Sequence, residues 1–122
     1  MGKLYVGIDI SKDRSSAKGI DDHGKSRFEI SFDMDGTGFA ELLKAIEANS
    51  EGHENVTAAM ESTACYHINL YSFLSAKGIE TVVTNPLLIA NFAKLSLRKT
   101  KTDKKDASTI AQFILAHRDS IT

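Results

Sequence analysis

The hydrophobic period of this chain changes after Phe32, and the change divides it into two kinds of structure. Before that point side chains alternate. Leu4 to Ile8 sets large apolar residues between Tyr5 and Gly7 and ends at Asp9, which predicts a buried strand. Asp13-Arg14 predicts a turn, and Ser15 to Ile20 a second strand. Asp21-Asp22-His23-Gly24 predicts a hairpin turn, with Gly24 available for a positive φ. Arg27 to Phe32 places Phe28, Ile30 and Phe32 on one face and Glu29 and Ser31 on the other. Three strands joined by short turns make an antiparallel meander.

After Phe32 a helical period enters. Phe39, Leu42, Leu43 and Ile46 fall at i, i+3, i+4 and i+7, one face of a helix, with Thr37 as its expected N-cap. Glu51-Gly52-His53 ends that helix. Val56 to Met60 is a short strand of small apolar residues ending at Glu61. Ala64 to Ala76 predicts a second helix stopped by Gly78, and Ile79 to Val83 a fifth strand. Asn85-Pro86 opens a third helix, with Asn as cap and Pro at the first position. Leu95 to Lys101 is a basic loop or frayed helix end. Thr102 caps a fourth helix to about His117, with Ala107, Ile110, Ala111 and Ile114 facing inward. The order is β-β-β-α-β-α-β-α-α. Strands alternating with helices in the second half imply parallel pairing with right-handed crossovers. The class is α/β, a ribonuclease H-like mixed five-stranded sheet with helices on both faces, and residues 1–122 form one domain.

Composition narrows the function. The single cysteine, Cys65, excludes an internal disulfide and a multi-cysteine zinc site. No apolar run approaches the ~20 residues of a membrane span, and the first residues lack signal-peptide architecture, so the expected location is cytoplasmic and no membrane partner is expected. A net charge of −1 does not suit a protein that coats nucleic acid by charge alone. The charge is uneven, however. Lys94, Arg98, Lys99, Lys101, Lys104 and Lys105 stand together against the single acid Asp103.

Four carboxylates stand out by position. Asp9 follows the apolar Val6-Gly7-Ile8, and Glu61 follows Ala58-Ala59-Met60. If strands one and four are parallel neighbours, both emerge at the carboxyl edge, where open α/β sheets bind their ligands. Asp103 and Asp106, three apart, share the helix face that continues through Ala107, Ile110 and Ile114 and so point toward the sheet edge. Four converging acids repel and are costly to desolvate. A hard divalent cation, Mg²⁺ or Mn²⁺, resolves the repulsion, and two such ions can flank a phosphodiester. Each acid alone has a plainer reading. Asp103 and Asp106 suit a helix N-terminus through its dipole, Asp9 suits a strand-end turn, and Glu61 suits a helix cap. The plain readings weaken jointly, because the topology brings these strand ends and this helix start together.

At these residues the chain resembles the DEDD transposases of the insertion-sequence-110 class. The matching text is Val6-Gly7-Ile8-Asp9-Ile10-Ser11-Lys12, Glu61-Ser62-Thr63 with Tyr66, Thr84-Asn85-Pro86, and Lys101-Thr102-Asp103-Lys104-Lys105-Asp106-Ala107 followed by Ile110-Ala111. The first block is weak alone; the last, with the second and third in order, is specific. The resemblance implies a RuvC-like ribonuclease H fold, a metal-dependent tetrad of Asp9, Glu61, Asp103 and Asp106, and recombination of mobile-element DNA by an oligomer. Some members of the family are guided by a structured RNA. Ala64 stands where the family usually has Gly. The family's second domain, which carries a serine nucleophile, has no match here, so the chain is expected to be the N-terminal part of a longer enzyme.

Beside the tetrad, Lys12 and the basic stretch from Lys94 to Lys105 are expected to contact phosphates, with affinity that falls as salt rises. Ser11 and Thr63 flank the carboxylates and are candidates to orient water or phosphate; capping a turn is the equal alternative. Cys65 is expected to be a small core residue, and Tyr66 and Tyr71 core residues with a wet hydroxyl. Three other functions share parts of this pattern. They are an actin-like or sugar-kinase ATPase fragment, a junction-resolving nuclease, and a non-catalytic nucleic-acid-binding or assembly module. The ATPase reading wants glycine and threonine after Asp9, where Ser11-Lys12-Asp13 stand.

Overall fold

The computed structural model describes residues 3–62, 65–85, 87–89 and 107–117. Its elements are β1 (Leu4–Asp9), β2 (Arg14–Ile20), β3 (Ser26–Asp33), α1 (Gly36–Ala48), a single 3₁₀ turn (His53–Asn55), β4 (Val56–Glu61), α2 (His67–Ala76), β5 (Glu80–Thr84) and α3 (Ala107–Ala116). The strands form one sheet in the order β3-β2-β1-β4-β5. β1 is antiparallel to β2 and parallel to β4, β2 is antiparallel to β3, and β4 is parallel to β5. This is the mixed ribonuclease H-like sheet expected from the order of elements.

Alternation along the central strands builds two cores. Leu4, Val6 and Ile8 of β1 and Val56, Ala58 and Met60 of β4 pack with Phe39, Leu42 and Ile46 of α1 and Leu70 and Leu74 of α2. Tyr5 and Ala59 turn the other way and pack with Ile20, Ile89 and the α3 residues Ile110, Ala111 and Ile114. Strands buried on both sides read as near-continuous apolar runs. Each buried Leu or Ile contributes about 1.5–3 kcal/mol relative to exposure.

α3, the helix predicted as the fourth, lies unusually close to β1. A Cβ on Gly7 would sit 2.2 Å from the Ala107 carbonyl oxygen and 2.3 Å from the Ala111 nitrogen. Only a residue without a side chain permits that approach. The four inward-facing residues predicted for this helix are all buried.

Two helix starts differ from the sequence reading. α1 begins at Gly36 because Asp35 caps it, its carboxylate accepting from the Gly38 nitrogen at 2.9 Å. Asp35 precedes Thr37 by two residues and caps at least as well, so Thr37 falls inside the first turn. α2 begins at His67 rather than Ala64, after a turn in which the Ile68 nitrogen donates to the Cys65 carbonyl at 3.3 Å. The packing of α2 starts later still, at Leu70. The expected cap at Asn85 is present, its side chain accepting from the Leu87 nitrogen at 2.8 Å. Residues 87–89 are helical, and most of that predicted third helix lies outside the described residues.

Candidate functional site at the carboxyl edge of the sheet

The parallel ladder between β1 and β4 pairs Ile8 with Met60, so the next residues, Asp9 and Glu61, close the two strands side by side. Adjacent strands lie about 4.8 Å apart. Tyr5, Gly7 and Asp9 share one face of β1, and Thr57, Ala59 and Glu61 share the same face of β4. That is the face on which α3 packs. Both acids are half-buried, and Glu61 Oε2 is closed to solvent.

The row continues to both sides. Ser16 of β2 lies opposite Asp9, and Thr84 of β5 lies opposite Glu61. The Ser62 nitrogen donates to the Thr84 carbonyl at 3.0 Å, which carries the β4–β5 ladder one step further. Thr84 is 7% exposed, and its Oγ1 has no hydrogen-bond partner among the described residues. Sequence reasoning singles out neither Ser16 nor Thr84 as a site residue. The available signal is positional: each neighbours an acid once the strand order is known. Every side chain in this row offers oxygen, the donor type that suits a hard divalent cation.

The end of α3 meets this face. Ala107 lies against Gly7, two residues before Asp9, and Asp106 is joined to Ala107 by a peptide bond. Asp103 and Asp106 lie outside the described residues, as do Thr63, Lys94, Arg98, Lys99, Lys101, Lys104 and Lys105. Of the four predicted acids, the described residues therefore bring together two. Among the described residues no three His, Cys, Asp or Glu side chains are grouped to hold a metal.

The loop after β1 is fixed by Ser15. Its buried hydroxyl accepts from the Ser11 nitrogen at 2.9 Å and donates to the Ser11 carbonyl at 3.4 Å. Lys12 is exposed and lines a cavity of about 190 Å³ with Met34, Phe39, Cys65, Tyr66 and Asn69. Met34 and Phe39 belong to the α1–α2 core, so the cavity is on the opposite side of the sheet from α3. The expectations for Cys65 and the tyrosines are corrected here. Cys65 is exposed, and Tyr66 and Tyr71 are 38% and 40% exposed. Cys65 and Tyr66 belong to the turn that precedes α2, ahead of the helix's packed residues.

Two described groups with displaced pKa values lie at the far edge. Asp21 is held below the usual carboxylate range by the Lys25 backbone N–H, with the His23 N–H and the Arg27 charge adding to it. His53 is raised by its hydrogen bond to Glu47 and by the Lys77 carbonyl.

Comparison with known proteins shows the family of the chain. Pilin gene-inverting proteins of Moraxella lacunata and Moraxella bovis are each 31% identical over 113 residues, which is 93% of this chain and 34% of theirs. The chain thus spans about a third of the length of these relatives. Among solved structures, the ethanolamine utilization protein EutJ of Carboxydothermus hydrogenoformans aligns at a TM-score of 0.49 and 15% identity, over 77% of this chain and 41% of that one. A ROK-family glucokinase of Streptomyces griseus aligns at 0.46 and 20%, over 75% and 36%. Residues 6–122 match the transposase family of the DEDD, insertion-sequence-110 type, and the chain belongs to that family.

Proposed function

We propose that this chain carries the metal-dependent acidic site of a DNA transposase, with Asp9, Glu61, Asp103 and Asp106 holding Mg²⁺ or Mn²⁺. The observation that carries the reading is the placement of Asp9 and Glu61 at the ends of adjacent parallel strands, on the face where α3 docks. The contact of Ala107 with Gly7 brings the start of α3 to that face, and Asp106 directly precedes Ala107 in the sequence. The relatives are named for inverting a pilin gene, which is a rearrangement of DNA, and the same class of reaction is proposed here.

The residues have separable tasks. Asp9 and Glu61 present carboxylate oxygens from the rigid centre of the sheet, where strand pairing fixes their spacing. Asp103 and Asp106 complete an all-oxygen set from the helix side. Bound divalent cations would supply charge stabilisation at the attacking and leaving oxygens of a phosphodiester. Lys94, Arg98, Lys99, Lys101, Lys104 and Lys105 neutralise backbone phosphates and hold the DNA strand in register.

Thermal denaturation of the chain with and without metal tests the site. A ligand at ten times its Kd stabilises the folded state by about 1.4 kcal/mol, a rise of roughly 5–6 °C for a domain of this size. The rise is expected with Mg²⁺ or Mn²⁺ and is expected to vanish in Asp9→Asn and Glu61→Gln. An equal rise in the wild-type chain and in both variants would remove the assignment.

A further inference from the structure

We infer that Thr84 belongs to the acidic site, as an oxygen donor to the divalent cation directly or through one water. This rests on the metal-site reading above and extends it to a residue that the acidic pattern does not contain. The argument comes from two cross-strand pairs on one face of the β4–β5 ladder. At its start Thr57 lies opposite Glu80, and Thr57 Oγ1 donates to Glu80 Oε1 at 2.8 Å. At its end the residue types are exchanged, with Glu61 opposite Thr84. The strand alternation places all four on the α3 side. The first pair closes on itself. In the second, Thr84 Oγ1 is buried and has no hydrogen-bond partner among the described residues.

Other buried or half-buried hydroxyls are satisfied. Ser15 is bonded to both backbone groups of Ser11, and Thr81 donates to the Ile79 carbonyl at 2.9 Å. Proteins leave few buried hydroxyls unsatisfied, and those that remain ask for a cause. Valine would fill the Thr84 position without that cost. A threonine hydroxyl can donate and accept, and it can join carboxylate oxygens around a hard cation. A partner that arrives with the ligand accounts for a hydroxyl held beside Glu61 at the ligand edge of the sheet.

The test compares Thr84→Val, Thr84→Ser and Asp9→Asn with the wild-type chain, by calorimetric Mn²⁺ titration and by metal-free melting. Thr84→Val is expected to weaken Mn²⁺ binding about tenfold to a hundredfold while raising the metal-free Tm. Thr84→Ser is expected to bind close to wild type. If the valine chain fails to fold, Thr84→Ala carries the same expectation for binding. Wild-type Mn²⁺ affinity in a variant lacking the hydroxyl, with binding lost in Asp9→Asn, overturns the role of Thr84 and leaves the acidic site standing. Mn²⁺ binding that is absent from the wild-type chain, or unchanged in Asp9→Asn, overturns the acidic site and this inference with it.

Discussion

The two edges of the sheet treat polar groups differently. At the amino edge they form closed local structures. Asp21 accepts from the backbone nitrogens of His23 and Lys25, each at 2.9 Å. Thr57 bonds Glu80, which also meets Lys3 at 3.4 Å. His53 bridges the Lys77 carbonyl at 2.7 Å and Glu47 at 2.9 Å, tying the 3₁₀ turn to the ends of both flanking helices. At the carboxyl edge Ser16, Asp9, Glu61 and Thr84 stand in one row across four strands. They meet a helix that reaches the sheet only because Gly7 lacks a side chain. The amino edge is built for closure. At the carboxyl edge the Ser15–Ser11 and Arg14–Asp33 contacts are closed too, but the row on the α3 face collects oxygen donors and holds Thr84 Oγ1 without a hydrogen-bond partner among the described residues, and that difference motivates a ligand there.

The largest expected effect attacks the docking of α3. Gly7→Ala puts a methyl carbon within 2.3 Å of two backbone atoms, and neither can rotate away as a side-chain tip could. Overpacking typically costs about 1–3 kcal/mol, and a backbone clash belongs at or above the top of that range. Urea denaturation should show this loss, and Gly36→Ala, whose new methyl meets nothing within 4 Å, should be nearly neutral. Equal stability of the two variants would mean that α3 does not need the bare backbone of Gly7, and the two edges would differ less than described.

A smaller effect sharpens the contrast by sign. Thr57→Val removes the donor to Glu80 and should lower metal-free stability by about 1 kcal/mol. Thr84→Val, four strand positions along the same face, should raise it. Chemical denaturation of both variants without metal checks the pair. If both are destabilised alike, the carboxyl edge is as closed as the amino edge.

Much of this architecture is legible in the order of the residues. The meander can be read because Phe28, Ile30 and Phe32 alternate cleanly. The faces of α3 can be read because Ala107, Ile110, Ala111 and Ile114 keep a helical period, and all four are buried. Local chemistry is harder. Asp35 and Thr37 both have the side chain of a cap, and spacing alone does not decide between them. Cys65 and Tyr66 look like core residues by composition, yet the turn before α2 exposes them. Asp9 and Glu61 stand out because a charge ending an apolar run is conspicuous. Thr84 is visible only as part of the Thr84-Asn85-Pro86 block, which gives it no place in the site, since threonine is at home in any strand. Its meaning depends on register with Glu61, a non-local fact that one chain read in order does not contain.

The smallest expected effect lies at the amino edge and depends on pH. His53 is raised above its ordinary value of 6.5, first by Glu47 and then by the Lys77 carbonyl. The folded chain therefore binds this proton more tightly than the unfolded chain, and stability must fall as pH rises through that interval. The contribution is complete below the unfolded value and is lost once pH passes the folded one. Because the group is solvent-accessible, screening keeps the effect small. Melting temperatures from about pH 5.5 to about pH 8 should decline slightly in the wild-type chain. His53→Gln should flatten the decline, and Glu47→Gln should reduce it by removing the leading cause of the shift. If the decline persists unchanged in His53→Gln, another group titrates in that window. The amino edge would then lose its claim to be the pH-sensitive end of the sheet.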